Sequence, residues 1–352
     1  MGGIHMKQSI GILDAELLFS KTRQPNLSCL KLSGYYKKQG APVTLLEKAA
    51  DVLHCKTVYL AKVFPETVVP KEILSLPHLR YGGSGFPASD DPRYLPALPD
   101  AIEHTMPDYH LYDTYIGHQI AQGARINAFK DYYDASIGRM TKDGAFHAHV
   151  KEFLDPSHKR IYLLDDNVFA YKGWQDIFLE LVETKKPFQF RQGLDIRLLT
   201  DEKAAVLTKT RYYGPYTFSF DRLEDRQAVA DGLDLLRRYT NACARVFVPV
   251  GRPGQDVLAT FQRIQLLMEH RALPFILRAP EYATSKERGM FINLGRWCNQ
   301  PAIFKKKTFR EFCELIGPDS AAMRYMQEYE REHPEIAKRY YDIRFETLSQ
   351  GR

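Results

Sequence analysis

The stretch Ile161–Asn167, IYLLDDN, decides the fold: four apolar residues run straight into three polar ones. A short continuous apolar run of this kind is a fully buried parallel strand, and the polar triplet marks where it leaves the core. The same rhythm repeats outward from it. Trp174, Ile177, Phe178, Leu181 and Val182 share one helical face, and Phe188-Gln189-Phe190 is a strand running on to Gln192-Gly193-Leu194-Asp195. Residues 201–208 are helical, YTFSF (216–220) is a strand ending in Asp221, and Val229, Leu233 and Leu236 mark the next helix. RVFVPV (245–250) is a strand before Gly251, residues 255–269 form a long helix, and Phe275-Ile276-Leu277 is a strand ending in Arg278. Five βα-like units follow from this pattern. A preceding strand near Tyr115–Gly117 would make six, which reads as a partial (βα)6 TIM-type barrel over residues 106–300.

In such barrels the chemistry lies at the carboxyl ends of the strands. Those ends carry Asp165, Asp166, Asn167, Gln192, Asp195, Ser219, Asp221 and Arg278, and these are the candidate pocket. No Ser–His–Asp or Cys–His arrangement is legible among them, so no catalytic residue is assigned.

On the amino-terminal side a second α/β pattern precedes the barrel. SIGILD (9–14) is a short strand ending in Asp14, Leu27, Leu30, Leu32 and Tyr35 recur near helical spacing, and Gly40 stands where a helix would be capped. Val43–Leu46, Thr57–Lys62 and Leu79–Phe86 supply further strands, giving a Rossmann-like parallel sheet over residues 7–105. Pro87, Pro92, Pro96, Pro99 and Pro107 mark a boundary. Residues 301–352 are expected to be a helical extension.

The chain has 352 residues, of which 26% are charged and 44% hydrophobic. No run approaches ~18 apolar residues, so no membrane helix is expected. The five cysteines, at 29, 55, 243, 298 and 313, form no CxxC pair, which argues against a zinc ribbon or disulfide framework and for a reducing, cytoplasmic compartment. The opening MGGIHM lacks a secretory signal pattern, and Met6 is expected as the natural start. A net charge of +6 permits nucleic-acid contact without arguing for it.

Taken together, SIGILD, NLSCLKLSGYYKKQG (26–40), VYLAKVF (58–64), YGGSGF (81–86), LPDAIEHTMPDYHLYDT (98–114), IYLLDDN, FRQGLDIRLLTDE (190–202) and LGRWCNQPAIF (294–304) resemble the radical S-adenosylmethionine (SAM) superfamily, in the clade with an N-terminal cobalamin-binding-type domain. The resemblance implies a CxxxCxxC loop after the first barrel strand, whose thiolates hold a [4Fe-4S] cluster. Here QGARINAFKDYYDASIGR (122–139) puts Ala124, Ala128 and Asp131 at those positions. The expectation is a degenerate member that forms no such cluster. His147 and His149 make an HxH pair near His118, but AFHAHVKEFL reads as a helix start on which i and i+2 diverge, so no metal site is expected. The loop after the first strand, DAELLFSKTRQPN (14–26), has no histidine of the DxHxxG type, so cobalamin is not expected either. The glycine turn 82–85 could offer backbone N–H groups to an anion, or be a tight turn alone.

By the same resemblance the strand-end groups match positions that contact SAM, which makes retained SAM binding a hypothesis. Three functions are open. The first is a pseudoenzyme acting as a binding or partner subunit for an intact radical SAM homologue or its substrate. The second is an enzyme with changed, non-radical chemistry in the barrel pocket. The third is nucleic-acid binding through the Arg and Tyr residues of 324–344, a pattern also given by an amphipathic helix that packs its aromatics.

Overall fold

The computed structural model describes residues 9–20, 24–125 and 130–350; the expected start at Met6 lies outside these. The chain divides into two compact units, one running to Met140 and including His147–Leu163, the other comprising Thr141–Phe146 and everything from Leu164.

In the first unit β1 (Ile10–Asp14), β2 (Val43–Leu45), β3 (Thr57–Ala61), β4 (Leu79–Gly82) and β5 (Tyr94–Leu95) form one parallel sheet in the order β2-β1-β3-β4-β5. Every residue of β1 is buried, because strands flank it on both sides and both of its faces are covered. Ile10 and Ile12 join Leu30, Leu32, Ile102 and Leu111 in one core, while Leu13 joins Val58, Leu60 and Leu79 in another. The helix α1 (Leu27–Lys38) starts where the Asn26 side chain accepts from the Ser28 and Cys29 N–H groups. It ends at Gly40, whose φ of +77° suits a residue without a Cβ. The segment 87–107, read as a boundary, instead supplies β5 and the short α3 (Asp100–Glu103), after the one-turn α2 (Lys71–Leu74). Prolines are tolerated there because β5 is a two-residue edge strand.

The strand expected near Tyr115–Gly117 is corrected: those residues belong to a helix, α4 (Asp113–Ala121). Asp113 in its first turn suits the positive end of the helix dipole, and Tyr115 and Ile116 pack on the core. The parallel strand lies further on, after α5 (Lys130–Tyr133), as β6 (Ala135–Gly138); it pairs with β9 (Arg160–Leu163).

The second unit begins with β7 (Thr141–Lys142) and β8 (Ala145–Phe146), an antiparallel hairpin turned by Asp143 and Gly144, both with positive φ. That is the Asp-Gly turn that matches strand twist. The expected helix start at AFHAHVKEFL is therefore wrong: the segment is β8, an extended link and a single 3-10 turn over Val150–Glu152.

Next come α6 (Trp174–Glu183), β10 (Phe188–Phe190), α7 (Asp201–Lys209), β11 (Thr217–Ser219), α8 (Arg226–Arg237), β12 (Arg245–Val250), α9 (Val257–Glu269) and β13 (Leu273–Arg278). β11, β12 and β13 are neighbours in a parallel sheet, and the bridges Phe188↔Tyr212 and Leu194↔Phe218 carry the chain beyond β10 alongside β11. The mixed α/β class with parallel sheets is as the sequence implies. The remaining helices are α10 (Arg288–Cys298), α11 (Pro301–Phe304), α12 (Phe309–Ile316), α13 (Ala321–Glu332), α14 (Pro334–Tyr340) and α15 (Phe345–Gln350). No helix among the described residues is long and apolar enough to cross a membrane.

Candidate functional site

In the second unit the strand-end residues differ in how their side chains are engaged. Asp165 is buried, and its Oδ1 accepts from the Thr141 N–H at 2.6 Å and the Thr141 hydroxyl at 2.7 Å, fixing the hairpin. Asp166 is exposed and accepts from the Asp143 N–H. Asn167 is half-buried, with its Oδ1 lacking a partner. Gln192 is exposed. Asp195 caps the turn Ile196–Leu198 and pairs with Arg197 at 2.8 Å, which more than offsets the effect of its partial burial and lowers its pKa. Ser219 is half-buried beside Gly193, where φ is +87° and a Cβ would crowd Phe247.

Asp221 is exposed, but its backbone carbonyl is gripped from inside: buried Gln255 donates to it at 3.1 Å and buried Arg263 at 3.2 Å. Arg278 is exposed and lies over the Tyr282 ring, 5.0 Å from its centroid. Asp165 and Asp195 are thus engaged by Thr141 and Arg197, while the Asn167 Oδ1 has no partner.

The positions matched to cluster ligands are placed differently from expectation. Ala124 is half-buried, Ala128 lies outside the described residues, and Asp131 falls in α5. All three precede β6 rather than follow a strand, because the strand anticipated before them is α4.

The HxH histidines part company. His147 Nε2 meets Glu103 at 2.8 Å, while the His149 side chain caps the 3-10 turn that holds Glu152; His118 pairs with Glu47. Among the described residues no group of three His, Cys, Asp or Glu side chains could hold a metal ion. The glycine turn after β4 is spent on itself: a Cβ at Gly83 would collide with the Lys62 carbonyl, to which the Gly85 N–H donates. Of the C-terminal tyrosines, Tyr329, Tyr340 and Tyr341 are buried and Tyr325 is exposed. Tyr340 stacks on Phe261 with centroids 5.5 Å apart.

A site that the sequence reading missed lies in the first unit. The order β2-β1-β3-β4-β5 has its switch point between β1 and β3, and ligands of such sheets bind at the carboxyl ends of the strands there. Asp14 ends β1 and is fully buried. Its Oδ1 accepts from the Glu16 and Leu17 N–H groups, and its Oδ2 from the Tyr112 hydroxyl at 2.6 Å.

The Tyr112 hydroxyl in turn accepts from the Asn26 N–H at 3.1 Å, tying the site to the cap of α1. Glu16 is buried too; its Oε1 accepts from the Val63 and Phe64 N–H groups just beyond β3, and its Oε2 has no partner. Burial drives the Asp14 carboxyl up to about 6, with the Glu16 charge adding to it and the Tyr112, Leu17 and Glu16 hydrogen bonds opposing it. Burial also pushes the Cys29 thiol up, helped by the Asp14 charge. Against Tyr112 lies a small, partly open cleft with a cavity volume of about 30 Å³, walled by Tyr109, Tyr115, Tyr132, Ile116, Leu30 and Pro25.

The sequence did hold one signal for this site. SIGILD ends in a carboxylate at the same topological position as the strand ends of the second unit. What it lacked was Tyr112, 98 residues away.

No protein-family model and no curated protein matches the chain. Solved structures do. A radical S-adenosylmethionine methyltransferase, TsrM, from Kitasatospora setae, described with cobalamin and a [4Fe-4S] cluster bound, is 10% identical, with a TM-score of 0.48 over 78% of this chain and 75% of that one. The same protein with tryptophan substrate and a SAM analogue, aza-SAM, is 11% identical, with a TM-score of 0.48 over 76% and 72%. The cobalamin-dependent S-adenosylmethionine radical enzyme OxsB, with aqua-cobalamin and S-adenosylmethionine bound, is 12% identical, with a TM-score of 0.35 over 94% and 62%.

These descriptions name the superfamily that the sequence resembles. They also overturn the cofactor expectation, which set aside the [4Fe-4S] cluster and cobalamin and kept SAM only as a hypothesis: the neighbours are described with all three groups.

Proposed function

We propose that this chain is a binding or partner subunit on a radical SAM-like fold, with its ligand side at the carboxyl edge of the five-stranded sheet. The observation that carries this is the aromatic cleft beside Tyr112, an apolar concavity with few polar groups. In the second unit, by contrast, Asp165 is engaged by Thr141 of the β7–β8 hairpin and Asp195 by Arg197 of its own turn. The partner implied is an intact homologue of the same superfamily, or that enzyme's substrate.

The test is native mass spectrometry of the full chain as purified, beside Ile116→Arg, which places a long cation in the cleft. A small molecule of defined mass released by the wild type and absent from the variant supports the reading. The same bound species in both, or none in either, sinks it.

A second reading, an enzyme of changed, non-radical chemistry, is favoured by Asp14, whose carboxyl sits at about 6 where it can exchange a proton near neutrality. The two separate on Asp14→Asn. A binding subunit retains the same bound mass, whereas an enzyme holds a different one, its unconverted substrate.

A further inference from the structure

The first unit holds a second cavity, of about 230 Å³, lined by the five-stranded sheet and by α1 and α3. Tyr59 of β3 and Arg80 of β4 are register partners in parallel strands, so their side chains leave the same face of the sheet. Leu95 of β5, the partner of Gly82, leaves that face as well. Tyr35 and Tyr36, in the last turns of α1, and Ile102 of α3 complete the lining. The three tyrosines are half-buried. Tyr35 meets Tyr36 edge-on with centroids 5.2 Å apart, and the Tyr36 and Tyr59 centroids are 5.4 Å apart. The Tyr36 and Tyr59 hydroxyls are hydrogen-bonded to each other. Burial and that bond push the Tyr36 phenol up, so it keeps its proton and remains a neutral donor.

Arg80 is half-buried, and its Nη1 donates to the Leu79 carbonyl at 3.1 Å. Among the described residues its guanidinium makes no other hydrogen bond and pairs with no carboxylate, and no carboxylate lines the cavity. A guanidinium carries five N–H donors, so most of this one is unspent. Arg93, just before β5, shows the contrast: it forks onto Asp91 and also reaches the Leu74 and Leu76 carbonyls. A cavity whose one charge is a guanidinium suits an anion, and a carboxylate matches the guanidinium fork. Flat rings beside Leu95 and Ile102 suit a flat apolar body. An apolar cavity of roughly 150 Å³ takes benzene. At about 230 Å³ this one has room for a single ring with a short acid arm and little more. We propose that the cavity binds a small aromatic monocarboxylate, its carboxylate forked on Arg80 and its ring among Tyr35, Tyr36 and Tyr59. The cavity shares no lining residue with the cleft at Tyr112, so either assignment can fail without the other.

The experiment is ligand-observed NMR titration of the full chain with phenylacetate, at constant ionic strength. Two further arms use benzyl alcohol, a ring without the charge, and acetate, the charge without a ring. Saturable binding of phenylacetate is expected, with both partial probes weaker by on the order of tenfold or more. Arg80→Met keeps the apolar stem and removes the charge. It should weaken phenylacetate by on the order of tenfold and leave benzyl alcohol unchanged. Arg80→Lys, which restores the charge without the fork, should fall between the two. Circular dichroism of each variant confirms that it is folded. No saturable binding of phenylacetate overturns the proposal, as does binding that is equal in wild type and both variants. Acetate bound as tightly as phenylacetate removes the role of the rings, and benzyl alcohol bound as tightly removes that of Arg80; either result overturns it too.

Discussion

Replacing Asp14 by Asn tests the reading of the first unit most directly. The carboxyl stands at about 6 against a usual 3.8, so the folded state holds the proton more tightly than the unfolded chain does. The sign follows. Below pH 3.8 both states are protonated and the group costs nothing. As pH rises through 6 the unfolded chain has already ionised freely, while the folded one must ionise a buried group. Stability is lost over that window, by about 3 kcal/mol in full, or about a hundredfold in the opening equilibrium.

Trp174 and Trp297 both lie in the second unit, so tryptophan fluorescence reports the wrong half. Amide hydrogen exchange on peptides covering β1 and α1 reads the right one. Protection in the wild type, corrected for intrinsic rates, should fall between about pH 4 and about pH 6.5 and level off above that, and in Asp14→Asn it should stay nearly level throughout. The constant cost of the amide at Tyr112 shifts the variant's line without tilting it. Tyr112→Phe should move the wild-type window to higher pH, since it removes a hydrogen bond that favours the ionised form. Parallel lines for wild type and Asp14→Asn across this range would refute the argument.

Glu103 should behave in the opposite sense. Burial would raise it, but hydrogen bonds from His147 and Lys31 and the charges of both outweigh that and hold it at about 2. Its contribution is present above pH 4.5 and lost as pH falls towards 2. Glu103→Gln should therefore remove about 3 kcal/mol at pH 6 and little at pH 2, measured by exchange in α1 and α3. Asn26→Ala should cost about 1 kcal/mol through the lost cap of α1, visible as faster exchange at Ser28 and Cys29. Arg263→Met leaves the Phe220 carbonyl without its buried donor and the Asp221 carbonyl with Gln255 alone, and should lower the tryptophan-detected unfolding free energy by about 2–4 kcal/mol, whereas a surface change such as Arg324→Met should not.

The strands of the second unit were legible because each is a bare apolar run bounded by polar residues and followed by a helix with a clear 3.6-residue face. Misreadings fell where two signals compete within few residues. Tyr115 and Ile116 favour strands by side-chain type, but with Asp113 ahead of them and a core to pack on they form the first turns of α4. ASIG was overlooked as β6 because four residues give no period to read, and only its pairing with Arg160–Leu163 makes it a strand. Tyr94–Leu95 hides between prolines because an edge strand needs only one row of hydrogen bonds. The Asp14 site was illegible for a different reason: its chemistry depends on Tyr112 and on N–H groups of residues 63 and 64, brought together only by the sheet order.

Both units place carboxylates at strand ends, and what separates them is how each carboxylate is satisfied. Asp195 is half-buried and meets a guanidinium two residues on, so its charge is compensated locally and its pKa falls. Asp14 meets only neutral donors, two N–H groups and a phenol, and has a second carboxylate, Glu16, beside it. Neutral donors stabilise a charge without cancelling it, so full burial wins and the proton is retained near neutrality. Asparagine at 14 would accept the same two N–H bonds without the cost of ionisation, but would set its amide nitrogen against the Tyr112 hydroxyl. The position carries an aspartate next to Glu16, whose Oε2 has no partner, so two carboxylates stand together at the carboxyl edge of the five-stranded sheet.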